Sequence, residues 1–152
     1  MTLEQTPFCT VLGLLDFSKS IKDLYQKLLT TYNFSIRDNA QEDKLEFWGS
    51  SESCHAVCYG RHFLYNDQYD LWIGLDIVPE KVTVTIRLDG INNKKNTVCL
   101  EELKCKKGKY FDTAKENEVS LNGDCFERFC ESLSSQILTN FAAEVLRAVK
   151  WQ

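Results

Sequence analysis

Two alternating apolar runs, Leu71, Ile73, Leu75, Ile77 and Val82, Val84, Ile86, Leu88, face each other across Pro79-Glu80. A side-chain period of two is the signature of a strand with one buried face. Joined by a two-residue turn, two such runs pair antiparallel as a hairpin. Upstream the same period holds, so four strands are expected at about 44–49, 54–65, 69–78 and 82–88. Gly49-Ser50-Ser51 and Asn66-Asp67-Gln68 supply the turns between them. The chain is thereby committed to an antiparallel meander, and the eight alternating residues to its core.

A sheet with one apolar face needs a second layer. Ile21, Leu24, Leu28 and Tyr32 recur at helical spacing, and Ser20 with Asp23 resembles a capping pair, so a helix is expected from about Ser18. The preceding apolar residues 8–15 read equally as a short helix or a strand. Near the C-terminus, Asp124 followed by Glu127 predicts a helix start. Phe126, Phe129, Cys130, Leu133, Ile137, Phe141, Val145 and Val149 continue it as one long stripe, with Ser134-Ser135 as the point where it could break. Residues 91–96 read as a loop, and 97–105 as a short element of undetermined type. The expected fold is a single α+β domain over 1–152: a two-layer sandwich with N-terminal and long C-terminal helices on one face of a four- or five-stranded sheet.

The turn lengths also set the register. Trp72 should lie opposite Arg87 and His62, Gly74 opposite Thr85 and Gly60, Asp76 opposite Thr83, and Asp70 opposite Asp89. On the face away from the helices this makes a row of His62, Trp72 and Arg87 beside a shallow strip at Gly60 and Gly74. Trp and Arg often carry interface energy. The structural alternative is a Trp72–Arg87 cation–π pair that only holds the sheet together.

With 43% hydrophobic and 12% aromatic residues and two prolines, the composition is that of a packed globule. A net charge of -4 argues against direct nucleic-acid binding, because phosphate neutralisation needs a basic surface. Seven scattered cysteines, an odd number, read as reduced thiols rather than a disulfide framework. No run reaches the roughly 18 apolar residues of a membrane span, and the N-terminus lacks a basic signal-like region. The expectation is a cytoplasmic protein.

Chemical motifs are weak. Cys54, His55, Cys58 and His62 suggest zinc, but strand positions four apart stand roughly 13 Å apart, too far to share one ion. Cys58 with His62 is the nearest cysteine–histidine pair, and it meets the same obstacle. Asp89 followed by Glu102-Leu103-Lys104 has the loose form of a metal-dependent nuclease site, with Asp70 as an accessory ligand. The expected function is nevertheless a small acidic, non-enzymatic interaction module of inhibitor or immunity type. It would bind a basic protein surface through Trp72, Arg87, His62, Asp70, Asp76 and Asp89 without cofactor or metal. The divalent-metal hydrolase is the alternative. A homodimer burying Trp72 about a two-fold axis also fits.

Overall fold

The computed structural model describes residues 1–39, 44–49, 54–78, 80–90 and 101–151, of which 44–49, 54, 55 and 90 by backbone alone. Ser50, Ser51, Pro79 and the expected loop 91–96 lie outside the described residues. The strands are β1 (Ile36–Asp38), β2 (Lys44–Gly49), β3 (Cys54–Tyr65), β4 (Tyr69–Val78), β5 (Lys81–Gly90) and β6 (Glu118–Ser120). The α-helices are α1 (Val11–Thr30), α2 (Glu101–Cys105), α3 (Gly123–Ser132) and α4 (Ser135–Ala148). Helices α1, α3 and α4 pack on one face of the antiparallel sheet, giving an α+β two-layer sandwich.

The six strands occupy five positions, because β1 and β2 share one edge of the long β3 while β4, β5 and β6 follow in order. Every expected cross-strand pair is present: His62 with Trp72, Gly60 with Gly74, Trp72 with Arg87, Gly74 with Thr85, Asp76 with Thr83 and Asp70 with Asp89. Of the eight alternating residues, seven are buried in the core, and Ile77 packs partly buried against it. Strands β1 and β6, three residues each, have no run long enough to show a period and were not expected.

Three helical expectations are corrected. Helix α1 begins at Val11, not Ser18, and Thr10 is its N-cap, accepting from the Gly13 N–H at 3.0 Å. Ser20 lies inside the helix, where its hydroxyl donates to Asp16 O at 3.1 Å and Leu133 O at 2.9 Å. The buried stripe runs through Phe17, Ile21, Leu24 and Leu28. Val11, Leu12 and Leu15 fall off that stripe, which is why periodicity concealed the first turns. The long C-terminal helix is two helices. Leu133 takes a left-handed conformation at φ 51° and Ser134 caps the next helix, so the chain breaks at Leu133-Ser134. Helix α3 is capped by Asn122 rather than Asp124, its side chain accepting from the Cys125 N–H at 2.9 Å.

Candidate functional site

Alternation puts Cys58, His62, Asp70, Trp72, Asp76, Arg87, Asp89 and Glu118 on the sheet face opposite the helices. Trp72 is only 4% exposed. Its indole lies over the two glycines: a Cβ on Gly74 would come within 2.5 Å of Trp72 Cζ2, and one on Gly60 within 2.8 Å of Cε2. The strip expected to be open is therefore filled by the ring, and only glycine leaves it room. Above the ring sits the Arg87 guanidinium, 4.2 Å from the ring centroid. Trp72 and Arg87 thus form the structural stack, and the indole is not presented to solvent.

Arg87 is held in turn by carboxylates from both sides. Its Nε donates to Glu118 Oε1 at 2.8 Å, and Nη2 donates to Asp76 Oδ1. The Cys58 thiol donates to the same Asp76 oxygen at 2.9 Å. Burial, reinforced by the Asp76 carboxylate, pushes the Cys58 thiol up to about 12. Such a thiol stays protonated at neutral pH and is a poor nucleophile. Strand geometry separates it from His62, which pairs opposite Trp72 two rows away. Burial likewise raises Cys130, to about 11.

The facing carboxylates Asp70 and Asp89 each have a partner. Asp70 meets His62 Nδ1 at 3.0 Å, while Asp89 accepts from Asn117 Nδ2 at 2.7 Å. Of the nuclease-like set, Glu102 and Lys104 stand on α2, with Glu102 bound by Lys150 at 2.8 Å and Lys104 by Glu101 at 3.4 Å. Lys150 holds the Glu102 carboxyl below its usual range. Among the described residues, no three His, Cys, Asp or Glu side chains converge as metal ligands. The side chains of Cys54 and His55 lie outside the described residues.

The apolar surface lies elsewhere. Val11 and Leu12 are each 74% exposed and Leu15 is 50% exposed, all on the first two turns of α1. Their helical phase places them on the side that further along carries Lys19, Lys22, Asp23 and Gln26, all exposed. Three large aliphatic side chains thus replace polar ones on the solvent face of a helix. No family model, curated protein or solved structure matches this chain.

Sequence reading missed this ridge because it sought apolar residues in phase with a core stripe. The useful signal was the opposite one: Val11, Leu12 and Leu15 are out of phase with Phe17, Ile21, Leu24 and Leu28. Also missed was a surface cleft of about 400 Å³ lined by Tyr32, Tyr110, Asn140, Ala143, Glu144, Arg147 and Ala148. Its residues come from three separate segments, so no local pattern announces it.

Proposed function

We propose that this protein is a non-enzymatic interaction module that docks another protein through the ridge of Val11, Leu12 and Leu15. The observation that carries the reading is the exposure of those three side chains together on one helix end. Exposed aliphatic residues are ordinary when scattered, but a contiguous group rimmed by polar residues is characteristic of docking surfaces. The net charge of -4 favours a partner with a basic surface, since complementary fields speed encounter and orient it.

On this reading the sheet face contributes field rather than contact. Asp76, Asp70 and Asp89 are already bound to Arg87, His62 and Asn117. Breaking those pairs would cost a partner more than rim charges usually return. Trp72 and Arg87 then hold the face rigid behind the docking helix.

The test is affinity capture from the source cell with the purified chain as bait, next to a variant carrying Val11→Ser, Leu12→Ser and Leu15→Ser. A stoichiometric protein retained by the wild type and lost by the variant is the expected result. Equal retention by both would overturn the ridge as the docking surface. Light scattering of the bait alone identifies the case in which the partner is a second copy.

A further inference from the structure

The cleft beside α4 contains two opposite charges that do not meet. Glu144 and Arg147 are three residues apart on one helix, a spacing that brings Cβ atoms to about 5–6 Å and commonly yields a surface pair. Neither residue enters an ion pair among the described residues. Each is held by something else. The Arg147 guanidinium lies 5.0 Å from the Tyr32 ring centroid and 5.9 Å from that of Phe34. The Glu144 carboxylate accepts from the Tyr110 N–H at 3.4 Å and rests against Gly108, where a Cβ would collide with Oε1.

A short polar chain crosses the same cleft. Tyr32 Oη donates to Asn140 Oδ1 at 3.0 Å, and Asn140 Nδ2 donates to Tyr110 Oη at 3.1 Å. Tyr110 Oη is therefore an acceptor in this chain, and its own hydrogen has no acceptor among the described residues. The cleft offers a cation, a phenol hydrogen and an anion, in about 400 Å³, within the range of small-molecule sites. A simple anion would meet the Glu144 carboxylate, and a simple cation would meet Arg147. A compact dipolar molecule satisfies both.

We propose that this cleft binds a free α-amino acid, its carboxylate on Arg147 and the Tyr110 hydroxyl and its ammonium on Glu144. Tyr32 and Tyr110 would then flank the side chain. The site stands apart from the helix ridge and does not depend on the docking role.

The experiment titrates the whole chain with each of the twenty free amino acids to about 10 mM, well above a typical weak-site Kd, following backbone amide shifts. At least one amino acid should give saturable shifts at Tyr110, Asn140 and Arg147. Its N-acetyl derivative and its amide should each bind at least tenfold more weakly, one lacking the ammonium and the other the carboxylate. Arg147→Met and Glu144→Gln, both at solvent-reachable positions, should lose the binding while retaining the wild-type spectrum elsewhere. Absence of saturable shifts with all twenty would overturn the proposal. So would equal binding of the blocked derivatives, or binding that survives both substitutions.

Discussion

At the residue scale, the glycine-lined strip decides what Trp72 does. Alanine normally stabilises a strand relative to glycine by about 0.5–1 kcal/mol. Gly74→Ala should instead destabilise by about 1–3 kcal/mol, because its methyl collides with Trp72 Cζ2 and Cη2. A rise in the urea midpoint would contradict the stacking described. Trp72→Ala should cost about 3–5 kcal/mol, as for other large-to-small core changes. Cys58 makes a separate prediction through its proton. Its folded pKa is raised from 9.0 to about 12, so the folded state binds the proton more tightly than the unfolded chain. The associated stability is complete below pH 9 and is lost as pH rises towards 12, with a slope of at most about 1.4 kcal/mol per unit. Comparing urea midpoints of wild type and Cys58→Ala between pH 8 and 10.5 isolates it. Parallel pH curves for the two proteins would show that Cys58 is not the group responsible.

At the element scale, legibility followed repetition. Strands β3, β4 and β5 repeat their period over ten to twelve residues, and turn length then set a register that the structure reproduces pair by pair. Strands β1 and β6 are defined by their neighbours rather than by their own sequence. Helix ends were misjudged where several capping residues competed. Asp124 is the more conspicuous start signal, but Asn122 accepts from the Cys125 N–H and donates to Lys109 O at 2.9 Å. Asn122→Ala should therefore cost about 1 kcal/mol in denaturant unfolding. Asp124, exposed in the first turn, should contribute less to stability. A larger loss from Asp124→Ala would return the cap to the residue the sequence favoured. The candidate site was half legible: the Trp72–Arg87 adjacency was readable, while the burial of Trp72 required knowing that its ring folds back over Gly74 and Gly60.

At the scale of the whole molecule, the two faces of the sandwich have different characters. Among the described residues no helix is long and apolar enough to cross a membrane, and one continuous core joins α1, α3 and α4 to the sheet. The sheet face opposite the helices pairs its charged side chains with one another or with neighbouring polar groups, Arg87 with Asp76 and Glu118, Asp70 with His62 and Asp89 with Asn117, whereas the N-terminal end of α1 exposes aliphatic side chains. The ridge substitutions remove exposed surface alone, so Leu12→Ser should change stability by no more than about 0.5 kcal/mol. The docking proposed for the ridge is thus separable from folding. The most direct measurement sets the two faces against each other in the same capture experiment: Leu12→Ser with Leu15→Ser against Asp70→Asn with Asp89→Asn. Loss of the partner with the leucine pair, and its retention with the aspartate pair, is the predicted result. Retention with the leucine pair and loss with the aspartate pair would contradict the account and move the docking surface to the sheet.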